Sequence, residues 1–213
     1  MNTFDTNDIA NAITDDLKNL RTYLVNAKLV NPNTFELLDD VDVPIECTPV
    51  DGQAEPACKL PDPNELPTEI KGCYKIDLGL QNIYAIKDTL KVGVQACIYS
   101  HFGKGGTATV SGISAMKFNK TRPDTPGSQH NFGRAFDVKL QGRMMIKPDG
   151  QVNPDYDQLA CAYLCAYCVE AGASKVFFSD QKVVDAVNKA TGKNVCQNID
   201  NHKNHIHMDC RVL

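Results

Sequence analysis

The sequence predicts an α+β domain in which helices flank an antiparallel sheet, preceded by a helical and loop-rich N-terminal extension. Several segments carry apolar residues at three- and four-residue steps, as amphipathic helices do, while others alternate apolar and polar residues, as half-buried strands do. A proline-rich stretch separates the first helical segment from the rest of the chain. The order of helices and strands after residue 80 favours an α+β arrangement with an antiparallel sheet.

The extension, residues 1–75, begins with a predicted helix over residues 4–30. Its apolar residues recur on one face, so the helix needs a partner surface; they are Ile9, Ile13, Leu17, Leu20 and Leu24. Asn31-Pro32-Asn33 ends the helix. Recurrent prolines between residues 41 and 72 exclude a long element and predict an extended connector with one short strand. We expect this extension to dock onto another protein in an assembly.

The second region, residues 76–213, is predicted to contain the remaining helices and strands. Helices are expected over residues 80–100, 154–171 and 181–190. Strands are expected over residues 107–112, 134–140, 175–178 and 204–212. Alternation along the strand 134–140 places Asp137 on the polar face, opposite to Phe136 and Val138.

The composition narrows the class of partner. The 213 residues carry a net charge of −4, which argues against nucleic acid. No apolar run approaches the ~20 residues of a membrane-spanning helix. The N-terminus, Met1-Asn2-Thr3-Phe4-Asp5, has neither the basic start nor the apolar stretch of a secretory signal. We therefore expect a protein that is made in the cytosol and stays there, is released by lysis or travels in an assembled particle.

The chain has nine cysteines, an odd number whose spacing does not resemble a disulfide scaffold. Reduced thiols are expected without a signal sequence, and the alternative is pairing outside the cell among Cys47, Cys58 and Cys73. Cys161, Cys165 and Cys168 have the spacing of an iron–sulfur motif. The same spacing places them in one stripe of the predicted helix 154–171, where free cysteine acts as a small apolar residue. The buried stripe is the favoured interpretation.

Two short stretches hold most of the candidate chemistry. Residues 128–138 read Ser-Gln-His-Asn-Phe-Gly-Arg-Ala-Phe-Asp-Val, and residues 205–209 read His-Ile-His-Met-Asp. Alternation along the final strand places His205, His207 and Asp209 on one face. If that strand neighbours the strand of Asp137, the Asp137 carboxylate and the His207 imidazole can approach one metal ion. Two or three imidazoles and a carboxylate are the ligand set of a catalytic zinc site.

The pattern His-x-His alone is weak evidence for a metal site, because alternate histidines on a strand are often ordinary polar residues. The string Ser-x-His-x-x-Gly-Arg-Ala-x-Asp, from Ser128 to Asp137, is more specific. Followed by His205-Ile206-His207, it resembles the zinc D-alanyl-D-alanine carboxypeptidase and L-alanyl-D-glutamate endopeptidase family, which shares its fold with the hedgehog signalling domain. The resemblance covers roughly residues 80–213 and implies a sheet of that type.

The resemblance implies three zinc ligands, which are His130, Asp137 and His207. It implies that His205 hydrogen-bonds the substrate carbonyl or the developing oxyanion. Arg134 and Ser128 would support the loop and the ligands. Two neutral imidazoles and one carboxylate leave the ion with a net positive charge, which lowers the pKa of bound water toward ~7.

The chain departs from the family pattern at the general base. Asn204 stands where the peptidases often carry an acid, and Asn201 where the hedgehog arrangement has a glutamate. An amide does not accept a proton usefully at neutral pH. Asp200 is the favoured base, and Asp209 is expected to orient a ligand. The competing interpretation is a zinc-binding domain without catalysis.

In the family an arginine is common directly after a Ser-Gly pair, which corresponds here to Ser111-Gly112, and this arginine is also absent. Ile113 and Ser114 occupy that place, and Arg122 in the following loop is expected to supply a cation for a substrate carboxylate. This change favours cleavage within a peptide over strict carboxypeptidase activity. His202 and Lys203 are expected to be exposed loop residues, with a supporting role at the site as the alternative for His202.

The leading functional hypothesis is therefore a zinc metallopeptidase that hydrolyses peptidoglycan, at bonds between D-amino acids or between L-alanine and D-glutamate. Enzymes of this type without signal peptides are common among phage lysins and virion proteins, so residues 1–75 are expected to contact phage structural proteins. The second hypothesis is a catalytically inactive zinc module of a phage particle. The third is an intracellular dipeptidase that recycles wall fragments or blunts an antibiotic.

Overall fold

The structure is a computed structural model, and it describes residues 4–35, 47–48, 57–59, 84–85, 87–104, 113–117, 128–132, 134–140 and 142–210. The described residues form four α-helices: α1 (Thr6–Asn26), α2 (Lys87–Phe102), α3 (Gln158–Glu170) and α4 (Gln181–Thr191). A short 3-10 helix, η1, spans Gln129–Phe132.

The strands belong to two sheets. A small antiparallel sheet joins β1 (Cys47–Thr48), β2 (Ala57–Lys59) and β3 (Tyr84–Ala85) in that order. The main sheet has the order β4-β5-β8-β6-β7. Its strands are β4 (Ile113–Lys117), β5 (Ala135–Leu140), β6 (Lys175–Phe178), β7 (Cys196–Asn198) and β8 (Ile206–Asp209).

The main sheet is mixed, which corrects the prediction of a wholly antiparallel sheet. Three of its pairings are antiparallel, but β6 and β7 are parallel. Helix α4 lies between these two strands in the chain, and a parallel pair needs a crossover of this kind. β7 carries only three residues, Cys196-Gln197-Asn198, too few for a periodic signal. The α+β class with flanking helices is confirmed.

Several predicted elements differ from the structure in their bounds. Helix α1 spans Thr6–Asn26 rather than residues 4–30, and Tyr84–Ala85 of the predicted helix 80–100 form β3, so α2 begins only at Lys87. The final strand is limited to Ile206–Asp209, and the sequence did not predict β4.

The strand 175–178 is confirmed at both ends, and β5 begins one residue later than predicted. Helix α3 begins at Gln158 rather than at residue 154, because the Asp157 side chain accepts a hydrogen bond from Ala160 N and caps it. The predicted strand 107–112 and residues 211–212 of the predicted final strand lie outside the described residues.

Helix α1 packs against α4 and α3 and shares their hydrophobic core. Ile9, Ile13 and Leu24 have no exposed surface. Asp16, also buried, accepts hydrogen bonds from Lys104 N at 3.0 Å and from the Tyr167 hydroxyl. The apolar face of α1 thus finds its partner surface within the chain. The predicted boundary near residue 75 lies outside the described residues, and docking of the extension onto another protein stays a prediction.

Helix α3 is buried on almost every side and forms the centre of the core. Cys161, Cys165 and Cys168 have no exposed surface, so the prediction of a buried stripe is confirmed. Burial raises the pKa of the Cys161 and Cys165 thiols and keeps them protonated. In the part of the chain that the structure describes, no helix combines the length and the apolar character needed to cross a membrane.

Candidate metal centre

The register of two neighbouring strands brings the first pair of predicted ligands together. β5 and β8 are antiparallel neighbours, and Asp137 is paired with His207. Directly paired residues project their side chains on the same face of a sheet. The neighbouring residues Phe136, Val138, Ile206 and Met208 have no exposed surface and belong to the core. The condition that the two strands lie side by side is therefore confirmed.

The third predicted ligand, His130, comes from η1, directly before β5. Arg134 N donates to Gln129 O at 3.0 Å, which closes the end of this short helix. Arg134 O accepts from Cys210 N at 2.7 Å, which ties the same point to the end of β8. These two backbone hydrogen bonds fix His130 over the face that carries Asp137 and His207.

The three side chains converge on one point. His207 Nδ1 lies 2.9 Å from Asp137 Oδ1 and 3.0 Å from His130 Nε2, and the third distance, from His130 Nε2 to Asp137 Oδ1, is 3.2 Å. All three residues are buried, and together they form a group that can hold a metal ion. Bonds of ~2.0–2.1 Å in tetrahedral geometry separate two zinc ligands by about 3.3 Å. The observed triangle therefore fits three corners of such a site.

The second nitrogen of His207 is held by a carboxylate. His207 Nε2 lies 2.9 Å from Asp209 Oδ1, and Asp209 is itself buried. A proton on Nε2 donates to Asp209 and leaves the lone pair of Nδ1 facing Asp137 and His130, the arrangement found behind many metal-bound histidines. The Phe177 ring stacks on the His207 ring, with centroids 5.2 Å apart and planes 7° from parallel. Both contacts set the orientation of this imidazole.

The electrostatics of the group favour the charged forms of Asp137 and His207. Burial alone would raise the pKa of Asp137, but hydrogen bonds with His130 and His207 outweigh it and hold that pKa well below its ordinary range. Burial would lower the pKa of His207, and hydrogen bonds with Asp137 and Asp209 reverse this and raise it. Asp137 is thus ionised at neutral pH, as a metal ligand must be.

His205 lies at the edge of the group. Its Nε2 is 3.7 Å from Asp137 Oδ1, and its Nδ1 is 2.6 Å from Asn204 Oδ1. The side chain is 17% exposed, against 2% for His130. His205 can therefore reach both the enclosed donor atoms and a molecule that approaches from solvent.

His202 belongs to the surroundings of the site, and the expectation that it is exposed is wrong. It is half-buried, and its ring centroid lies 4.8 Å from that of His205 and 5.6 Å from those of His207 and Phe177. Burial, with smaller effects of His205 and His207, lowers the pKa of His202 to about 4. The sequence did not place His202 at the site, because a loop residue has no hydrophobic periodicity around it. For Phe177 the sequence predicted only a strand and not a contact with the histidines.

Of the remaining predicted residues, those that the structure describes lie outside the group of three donors. Asp200 is exposed in the turn after β7, and among the described residues no hydrogen bond or ion pair links it to His130, Asp137 or His207. Lys203 is exposed, as expected. Ser128 is half-buried directly before η1. Arg134 is half-buried and contributes the backbone hydrogen bonds described above. Arg122 lies outside the described residues.

Comparisons with protein-family models, curated proteins and solved structures find no match to this chain. Two imidazole nitrogens and one carboxylate oxygen meet in a buried cluster, and the partly exposed His205 lies at its edge.

Proposed function

We propose that this protein is a zinc metallopeptidase that hydrolyses peptide bonds of peptidoglycan. The observation that carries the proposal is the triangle of His130 Nε2, Asp137 Oδ1 and His207 Nδ1, with sides of 2.9–3.2 Å. Three protein ligands with a fourth position left for water or substrate distinguish catalytic zinc sites from structural ones. The resemblance of residues 128–137 and 205–207 to the cell-wall peptidase family supplies the substrate class.

The donor set suits zinc better than a hard cation. Imidazole is a good ligand for Zn²⁺, whereas Mg²⁺ and Ca²⁺ prefer oxygen donors in larger numbers. Only one of the three donors is an oxygen. A Zn²⁺ ion bound here would polarise a substrate carbonyl and lower the pKa of water. Bound to Asp137 and two neutral imidazoles, it would keep one net positive charge for this purpose.

The chain's own residues would divide the remaining tasks. Asp209 would hold the proton of His207 on Nε2 and so keep Nδ1 available to the metal. His205, positioned by Asn204, would hydrogen-bond the carbonyl oxygen of the scissile bond as negative charge develops on it. Asp200 is retained as the proposed proton acceptor, and its exposed position makes it the first residue to test.

One observation favours a second candidate, a zinc module that binds a partner without catalysis. Among the described residues, the carboxylates that touch the histidine cluster are Asp137, which contacts His130 and His207, and Asp209, which is hydrogen-bonded to His207. Neither is free to accept a proton from water while it performs that role. The resemblance to the cell-wall peptidases also supports a location in a virion or release by lysis, as a proposal.

The decisive experiment combines metal analysis with digestion of purified sacculi by the full chain. We expect about one zinc per chain by mass spectrometry, and release of wall peptides that stops when a chelator removes the metal and resumes when zinc is restored. His207→Ala should abolish both. Zinc binding without cleavage of sacculi or of free wall dipeptides would overturn the enzyme and favour the module. Cleavage of free dipeptides alone would point to the recycling dipeptidase.

A further inference from the structure

A cavity of about 400 Å³ lies at the C-terminal end of β5, and its lining includes Asn204, the chain neighbour of His205. Val138 of β5 is paired with Ile206 of β8. Because the two strands are antiparallel, the residue after Val138, Lys139, comes beside the residue before Ile206, His205. Lys139 lines the cavity and lies on the same face of β5 as Asp137. The cavity thus meets β5 at its end, where Lys139 has the parity of Asp137 and Leu140 that of the core residues.

The far wall of the cavity is a hairpin built from residues 142–153. Lys147 N donates to Gln151 O at 2.8 Å, and a β-bridge joins Ile146 to Val152. Asn153, which is buried, donates through Nδ2 to Gly142 O and Met144 O, at 2.8 Å each. These hydrogen bonds hold the hairpin in one shape, so the cavity exists before any ligand enters. Its volume is in the range of small-molecule sites.

The lining of the cavity selects for an acidic ligand with an apolar stem. Among the described residues of the lining, two lysines, Lys139 and Lys147, and one acid, Asp155, leave a net positive charge. Apolar lining residues include Leu140, Met144 and Ile146, and two amides, Asn153 and Asn204, line it as well. Ammonium groups hydrogen-bond a carboxylate more strongly than a neutral carboxamide.

We propose that this cavity binds a peptide residue with a free carboxylate next to the scissile bond, and that Lys139 and Lys147 make the site prefer that residue over its carboxamide form. The inference rests on the proposed function and adds a specificity to it. In wall peptides the relevant contrast is between D-glutamate and its amidated form, D-isoglutamine. The two have the same length and shape and differ in one charge, so the lysines alone would discriminate between them.

The test measures binding and cleavage separately, with the dipeptides L-Ala-D-Glu and L-Ala-D-isoGln as probes, each with its γ-carboxyl capped as an N-methylamide so that only the α-carboxyl differs. Calorimetry with zinc-loaded full chain should show tighter binding of L-Ala-D-Glu. In the double variant Lys139→Met, Lys147→Met we expect about tenfold weaker binding of this dipeptide and little change for L-Ala-D-isoGln, as the loss of a charged hydrogen bond predicts. Lys182→Met, in α4 and outside the cavity lining, is the matched control for one lost charge.

The outcomes separate the two proposals. Cleavage of wall peptides with the same preference and the same KM in the double variant would overturn the cavity assignment and leave the peptidase in place. Dipeptide binding that depends on the two lysines, without cleavage of any wall peptide, would support the cavity and overturn the peptidase. A rise in KM for the acidic substrate with kcat nearly unchanged would support both, because Lys139 and Lys147 are argued to bind rather than to react.

Discussion

Asp137 and His207 face each other across two antiparallel strands, with Asp137 Oδ1 2.9 Å from His207 Nδ1. This pairing depends on the register of β5 and β8. If one strand slipped by one residue, its histidine or aspartate would point to the other face of the sheet, into the core. The residues on both sides of the pair are apolar and fully buried. The core therefore fixes the register, and the register brings the two donors together.

Removal of one donor should remove the metal. His130→Ala or His207→Ala leaves two ligands, and we expect the bound zinc to fall from about one per chain to near zero after dialysis against a weak chelator. His101→Ala, a histidine of α2 outside both ligand stretches, is the matched control and should keep the metal. Zinc retained in both ligand variants, measured by mass spectrometry, would contradict the assignment of these three donors.

Asp209, which is hydrogen-bonded to His207, should change the affinity for zinc without being a zinc ligand itself. Asp209→Asn replaces the charged acceptor of Nε2 by a neutral one, and Asp209→Ala removes it. Loss of such a contact costs about 10–100-fold in metal affinity. We expect the smaller loss in the Asn variant and the larger in the Ala variant, measured by competition with a fluorescent chelator. Equal affinity in all three proteins would show that Asp209 does not orient His207.

The proposed catalytic roles of His205 and Asp200 predict different signatures. His205→Ala should lower kcat by about 10²–10³-fold, the cost of a lost oxyanion donor, while zinc stays bound. Asp200→Ala should lower kcat by about 10²–10⁴-fold if Asp200 transfers the proton. Because Asp200 is exposed, its variant should fold normally, which circular dichroism can check. Full activity of Asp200→Ala would remove this residue from the mechanism.

Much of the centre could be predicted from the sequence, because the information is local. Alternation along β5 and the chain around β8 sets the face of Asp137, His205 and His207, and the resemblance of residues 128–137 to the peptidase family singles out His130. The parallel partner β7 could not be predicted, since a parallel pairing is decided by a distant crossover and not by its own three residues. The surroundings of the centre were also missed, because His202 and Phe177 meet the ligands only through the tertiary fold.

Helix α1 shows the same difference between what local sequence patterns predict and what only the tertiary fold decides. Its amphipathic pattern predicted a partner surface but contained nothing to say whether that surface belongs to this chain or to another. In the structure the surface is supplied by α3 and α4, which come more than a hundred residues later. Periodicity reports which face is buried, and contacts at long sequence separation decide what covers it.

The contact of Asp16 with Tyr167 should make α1 a stabilising part of the domain. Asp16→Ala removes the acceptor of the buried Tyr167 hydroxyl, at about 1–3 kcal/mol, and that of Lys104 N, a smaller loss because Lys104 is exposed to water. Tyr167→Phe keeps the ring and removes only the hydroxyl, so we expect a smaller loss. Urea unfolding measures both. If Asp16→Ala unfolds at the same urea concentration as the parent chain, α1 contributes nothing through this contact.

The buried thiols predict how stability changes with pH. Burial raises the pKa of the Cys161, Cys165 and Cys210 thiols, so they stay protonated in the folded protein at a pH where they ionise in the unfolded chain. Above pH ~8.5 the unfolded state therefore binds fewer protons, and the free energy of unfolding falls as pH rises, by up to about 1.4 kcal/mol per pH unit for each thiol. The stability is fully present below the unfolded pKa and is lost as pH rises toward the folded one. Urea unfolding between pH ~7.5 and ~10 measures the slope, which should be shallower in Cys161→Ala. An unchanged slope in that variant would show that the Cys161 thiol ionises as readily in the core as in water.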